Sequence, residues 1–231
     1  MRVLTAVLLF VLMFFPIGVE RAQAESVDML IYDSFIALEE FLDDPQWIGL
    51  RNALGGTRGI FIIPSLKKAG LLVGVSRGTG VLMARDGKDW SDPIFIRLTS
   101  QSLGLQAGAY DANIILLVMS DAMMDKMLSQ YFGLGGDASI SLGELGIGGG
   151  GSGGISEGIT TLMAVNGDGL FAGTTFLNST LSTEDNLNKK MYGLGAEEVS
   201  KVLHLHGTDI RAKFLREKLA KAVQESWYGK K

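Results

Sequence analysis

GLLVGVSRGTGVLMARDGKDWSDPIFIRLTSQSLGLQAGA, residues 70–109, decides how the rest of the chain is read. Large apolar residues alternate here with glycine and serine, a period of two that suits a strand and not a helix. Leu71, Val73 and Val75 share one face, and Leu72, Gly74 and Ser76 share the other. The pattern returns at Leu103, Leu105, Ala107 and Ala109, set against Gly104, Gln106 and Gly108. Glycine inside a strand costs conformational entropy and packs nothing, so its recurrence implies tight coiling, or close approach of another backbone or of a ligand.

Strand-like runs flank this stretch on both sides. Gly55, Gly56 and Gly59 lead into Ile60–Ile63, a short strand that Pro64 is expected to end, with Ser65–Ala69 as a connector. Leu71–Ser76 and Val81–Ala84 read as two runs separated by Arg77–Gly80, Asp86–Pro93 is a polar turn around Trp90, and Ile94–Leu98 alternates again. Asn113–Met119 is continuously apolar, as a strand buried on both faces would be. Leu134–Leu145 alternates, Gly148–Gly154 is a flexible tract, and Asn166–Gly169 reads as a hairpin turn between Thr160–Val165 and Leu170–Leu177.

Helical periodicity appears at both ends. Val27–Leu42 spaces Leu30, Ile31, Phe35, Leu38, Phe41 and Leu42 on one face and bears only acidic charges. Asp44 and Pro45 suit the start of a short helix through Leu54. Asp121 opens a segment whose Met124, Met127, Leu128 and Tyr131 share a face, and Ser182 with Asp185 opens one through Tyr192. Thr208 caps a tail helix to Trp227, with Ile210, Phe214, Leu219, Val223 and Trp227 expected on its buried side. Together these imply an α+β fold, a strongly coiled, mainly antiparallel sheet or partial barrel with flanking helices.

Val3–Phe15 is apolar, follows Arg2, and precedes Pro16, Gly18 and the small residues Ala22–Ala24, the order of a secretory signal peptide; an uncleaved anchor is the alternative. The expected organisation is a signal over residues 1–24, a domain over 25–195 and a basic helical extension over 196–231. Such a chain is exported, periplasmic or extracellular, and soluble or peripheral to a membrane. The absence of cysteine excludes disulfides, thiolate catalysis and lipoprotein acylation. With Arg2, Glu20 and Arg21 set aside, 19 basic residues face 24 acidic ones, a net charge of −5 that argues against nucleic acid.

No catalytic set assembles from the sequence. GVSRG at Gly74–Gly78 and GISEG at Gly154–Gly158 match the nucleophile elbow, but neither serine precedes a helix as that elbow requires. His204 and His206 are the two histidines of the chain and lack a third ligand nearby, so no metal and no cofactor is expected. One charge feature stands out. Between Asp44 and Asp86 there is no acid, while Arg51, Arg58, Lys67, Lys68, Arg77 and Arg85 are all basic. Gathered beside the bare face, Arg58, Lys67, Lys68, Arg77 and Arg85 would meet an anionic headgroup, and Gly74, Ser76 and Gly104 would line a slot for its acyl chains. The plainer alternative is a solvated basic edge that balances the acidic first helix.

The run IFIIPSLKKAGLLVGVSRGTGVLMARDGKDWSDPIFIRLTSQSLGLQAGA resembles the core of the SYLF, or Ysc84, family. LGGDASISLGELG and GLFAGTTFLNSTL, then Asn186, Tyr192 and Gly193, are similar to later pieces of it, in order over roughly residues 28–193. The resemblance implies non-enzymatic binding of anionic phospholipid or a membrane surface, with actin as a further partner in fungal members. A bacterial exported member is the variety it suggests. Eukaryotic members carry a basic amphipathic N-terminal helix; Val27–Leu42 has no lysine or arginine, so Arg51–Arg85 or the tail would take that part. A cell-envelope protein-interaction or assembly module is the second reading, and a serine esterase through Ser76 the third.

Overall fold

The computed structural model describes residues 26–70, 73–103, 108–127, 132–134, 142–144, 161–167, 179–195 and 198–226. Helix α1 (Val27–Asp43) leads through a single 3-10 turn (Pro45–Trp47) into α2 (Ile48–Leu54). Strands β1 (Gly59–Gly70), β2 (Val73–Asp86), β3 (Asp89–Trp90), β4 (Ile94–Leu103) and β5 (Gly108–Val118) follow, then α3 (Asp121–Met127) and the strands β6 (Phe132–Leu134), β7 (Leu142–Glu144), β8 (Thr161–Gly167) and β9 (Ser179–Thr183). Helix α4 (Asp185–Tyr192), 3-10 segments at Val199–His204 and Ile210–Ala212, and α5 (Lys213–Glu225) are the last of the described elements. The expected signal, the Gly148–Gly154 tract, Leu170–Leu177, Ser156, Gly104 and Trp227 lie outside the described residues.

The strands form one sheet in the order β6-β9-β4-β2-β1-β5-β8-β7, with β3 paired to β2. Every pairing is antiparallel except β7 with β8. The chain therefore forms an α+β domain with a strongly coiled, mainly antiparallel sheet, and the sheet stays open rather than closing into a barrel.

Pro64 does not end β1. Between Ile62 and Lys67 the strand gains one residue over β2, and between Ile63 and Leu66 one residue over β5. This bulge absorbs the missing N–H of proline in the middle of a sheet, where an ordinary ladder position could not. It also presses β1 onto β2. A Cβ on Gly80 would stand 2.0 Å from the carbonyl oxygen of Ile62, and one on Gly78 would stand 2.6 Å from Ile63 Cγ2. These two glycines thus answer to the protein's own chain, and β2 runs unbroken through Arg77–Gly80, which pair with Thr99–Ile96.

Two cores follow from the alternation. On one face Ile60, Ile62, Val81, Met83, Phe95, Ile115 and Leu117 pack under α1, α2 and α5. On the other, Phe61, Ile63, Leu66, Leu82, Ile96, Leu98, Ile114 and Leu116 pack with Met123, Met124 and Met127 of α3 and with Val199–Leu203. The methionine stripe is core filling. Ser120, rather than Asp121, caps α3: its hydroxyl accepts from Met123 N at 3.3 Å.

The tail packs tightly, but not on the face its sequence suggests. Leu215, Leu219, Ala222 and Val223 are buried, while Ile210 and Phe214 are exposed. Asp209, not Thr208, caps the first turn by accepting from Arg211 N at 2.9 Å. The tail is held by Asp92, a fully buried carboxylate that accepts from Thr208 N at 3.0 Å, Asp209 N at 3.2 Å, the Thr208 hydroxyl and Arg216. Along α1, Arg211 pairs with Asp28 and Lys218 with Glu39 and Asp43. Burial pulls the Lys218 ammonium down, but these two acids together hold it above its ordinary pKa. The acidic first helix and the basic last one are thus partners of each other.

Candidate functional site

Helix α1 covers the end of the sheet that carries Ile60, Ile62, Val81 and Met83, and further along the same face residues become exposed. Register sets which residues these are. Lys67 of β1 stands directly opposite Arg77 of β2 and, on its other side, opposite Asp111 of β5; Arg77 stands opposite Thr99, and Thr99 opposite Thr180. Directly paired residues share a face, so Thr180, Thr99, Arg77, Lys67 and Asp111 form one row across five strands. Thr180, Arg77, Lys67 and Asp111 are exposed and Thr99 is half-buried. Val75, 45 % exposed, adds an apolar residue next to Arg77 on the same face.

The two cations face each other at a separation where like charges repel, a cost of a few tenths to about 1 kcal/mol. Asp111 does not relieve it by hydrogen bonding: its carboxylate accepts from the Ser65 hydroxyl at 2.8 and 2.9 Å, a contact the bulge makes possible. Neither Lys67 nor Arg77 has an ion-pair partner among the described residues. Such a step, flanked by the Thr99 and Thr180 hydroxyls, presents positive charge and O–H donors together, the donor set a phosphate or carboxylate takes.

The remaining sequence candidates go elsewhere. Ser76 lies between Val75 and Arg77 and so on the opposite face, where it is 1 % exposed, in register with Ser100 of β4, itself paired with Ser179 of β9. Lys68 is the register partner of Ser76, and Gly74 pairs with Gly70 and Ser102. Lys67 and Arg77 are therefore brought together, but not beside the bare face.

Arg58, just before β1, is nine residues from Lys67, one of them taken up by the bulge, and Arg85 is eight from Arg77, so both sit at the far end of these strands, roughly 26 Å along the sheet. Arg85 is committed to structure. Its guanidinium donates to the carbonyls of Leu54, Gly55 and Thr57 at 3.3, 2.8 and 3.3 Å and to that of Gly87 at 2.7 Å, closing the C-terminal end of α2. Burial, with Arg58 nearby, lowers its pKa. Arg51 does the same for α1, donating to the carbonyls of Leu42 and Asp44.

Arg58 lines a cleft of about 440 Å³ with Asp86, Asp121, Asp125, His204 and His206. In it Arg58 Nε lies 3.8 Å from Asp121 and His206 Nε2 lies 4.0 Å from Asp86. Among the described residues no group of three or more His, Asp or Glu is arranged to hold a metal. Ser76 is ten residues along β2 from Asp86, roughly 33 Å from the histidine end, so no serine–histidine pair forms there. The alternation of exposed and buried residues in β2 was the signal that could have separated Arg77 from Ser76 in the sequence.

Comparison with known proteins covers part of the domain. A family model, Ysc84, described as Las17-binding protein actin regulator, matches residues 99–222, more than half of the chain and past residue 195 into α5. SH3 domain-containing YSC84-like protein 1 of Xenopus laevis is 26 % identical over 144 residues, covering 62 % of this chain and 43 % of that relative. The chain thus spans less than half the length of the curated relative it matches.

Proposed function

The chain belongs to the Ysc84 family, and from that premise we propose that it binds anionic phospholipid headgroups at a membrane surface through Lys67 and Arg77. The observation that carries this reading is the direct opposition of two exposed cations that have no ion-pair partner among the described residues. A phosphate set between them would remove their repulsion and accept charge-assisted hydrogen bonds from both. Val75 beside them gives the interface an apolar contact, and Thr99 and Thr180 extend its hydrogen-bonding row. Among the described residues of the tail, Arg211, Lys213, Arg216, Lys218 and Lys221 each have an acidic partner within the chain, which leaves them less available to this contact than Lys67 and Arg77.

We read the chain as a binding protein rather than an enzyme, and as acting outside the cytoplasm after export directed by Val3–Phe15. Intact mass of the mature chain checks the second point: loss of residues 1–24 is expected, and a cytoplasmic chain retaining them would contradict it. Co-sedimentation tests the lipid reading. Vesicles containing phosphatidylserine or a phosphoinositide should bring down the protein, vesicles of phosphatidylcholine alone should not, and rising salt should release it. Equal binding to both compositions would refute it. The family description names protein partners for its members, and the second reading, a protein-interaction module, is favoured by a separate feature of the helix layer.

A further inference from the structure

Large apolar residues gather at one corner of the helix layer. Met29 and Tyr32 of α1 are 64 % and 62 % exposed, and Ile210 and Phe214 of the tail are 75 % and 68 % exposed. These are four of the seven exposed large hydrophobics among the described residues, and they are the four most exposed. The Arg211–Asp28 ion pair, 3.4 Å, joins the two pairs side by side: Met29 follows Asp28, Ile210 precedes Arg211, and Tyr32 and Phe214 lie one turn further along each element. Helical periodicity alone would bury Ile210 and Phe214. The buried stripe of α5 is instead Leu215, Leu219, Ala222 and Val223, which leaves this corner with no role in the core. A clustered apolar patch of this kind marks a contact surface.

Charge selects what covers it. Helix α1 has no lysine or arginine along its length. Asp28, Glu39 and Asp43 are neutralised by the tail, but Asp33, next to Tyr32, is exposed with no partner among the described residues. Glu40, about two turns further on, is exposed and takes a neutral Asn113 amide at 2.6 Å. The corner is therefore apolar with an acidic border. Its neighbouring cations, Arg211, Lys213 and Lys218, are already paired. An anionic bilayer finds repulsion here, and a second copy docking through the same corner brings another acidic helix without free cations to meet the first.

We infer that this corner, Met29, Tyr32, Ile210 and Phe214 bordered by Asp33 and Glu40, is a docking site for a basic amphipathic helical segment of a protein partner. Apolar side chains at three- and four-residue spacing on such a segment would cover the quartet, and its lysines or arginines would face Asp33 and Glu40. The four residues offer roughly 400 Å² of apolar surface, about half of one side of a standard interface, so the affinity is that of a transient contact, about micromolar.

The full chain can be titrated against three labelled synthetic peptides by fluorescence anisotropy: an amphipathic leucine–lysine helix, its leucine–glutamate counterpart, and a scrambled leucine–lysine peptide of equal charge. The amphipathic lysine peptide should bind, and the other two at least about tenfold more weakly. Tyr32→Ser with Phe214→Ser should weaken binding about tenfold, and Asp33→Lys should weaken it chiefly at low salt. All three positions are exposed, so thermal melts should be unchanged. Lys67→Glu with Arg77→Glu should leave peptide binding intact, which separates this site from the lipid site. Equal binding of the scrambled peptide, or indifference to the corner substitutions, would overturn the inference. So would loss of vesicle binding in the corner variants, or a concentration-dependent dimer that they abolish, since bilayer or second copy would then be the occupant.

Discussion

Replacing Asp92 by alanine should detach the tail from the body of the domain. The carboxylate is fully buried and accepts from two backbone N–H groups, one hydroxyl and the guanidinium of Arg216, itself mostly buried. Removing one member of such a pair leaves an uncompensated charge, at a cost of about 3–5 kcal/mol. The Thr208 and Asp209 N–H groups would also lose their acceptor, although nearby water would limit that loss once the tail loosens. Against a total stability of about 5–15 kcal/mol this is a large share, and for a chain of this size it lowers the melting temperature by roughly 10–15 °C. Urea melts followed by tryptophan fluorescence suit the measurement, because Trp90 is buried two residues from Asp92. Arg216→Leu in addition to Asp92→Ala should cost less than the two single losses combined, since the unpaired charge is then gone. A loss under about 1 kcal/mol for Asp92→Ala, or simple additivity of the pair, would refute the latch.

Gly80→Ala should destabilise the domain by about 3 kcal/mol or more, because its Cβ meets the Ile62 carbonyl rather than a side chain that can turn away; a neutral substitution in chemical denaturation would contradict the pressed bulge. The tail should also respond to pH. The hydrogen bond from Arg211 holds Asp209 below its ordinary pKa, so its contribution is complete above about pH 4 and is lost as pH falls through the depressed folded value. Lys218 is held above its ordinary value, so its contribution is complete below about pH 10 and is lost as pH rises beyond. Amide exchange in α5 should accelerate at both extremes before that in β1 and β5, and exchange that rises uniformly would contradict this.

Much of the fold is legible in the sequence because period and charge are local signals. The alternation through residues 70–109, the apolar run that becomes β5 and the spacing of α1 each report which side of an element is buried. Pro64 misleads, because a bulge that restores register depends on two neighbouring strands that the local sequence does not specify. Phe214 and Ile210 mislead for a related reason: hydrophobicity was a poor guide to the phase of α5, which is set by Leu215, Leu219 and the Asp92 anchor. The candidate site was half legible. The acid-free interval contains Lys67 and Arg77, but cations close in sequence were dispersed along strands roughly 26 Å apart, and two of them were taken up capping helices.

The lipid-binding claim is tested most directly by measuring the partition of the full chain onto phosphatidylserine-containing vesicles for the native sequence, for Lys67→Glu with Arg77→Glu, and for Arg58→Glu. Each basic residue near an anionic surface contributes about 1 kcal/mol, so the double charge reversal should reduce partition at least roughly thirtyfold, while Arg58→Glu should change it little. Unchanged partition in the double variant, or an equal loss for Arg58→Glu, would show that the opposed pair on the sheet face is not where the anion binds.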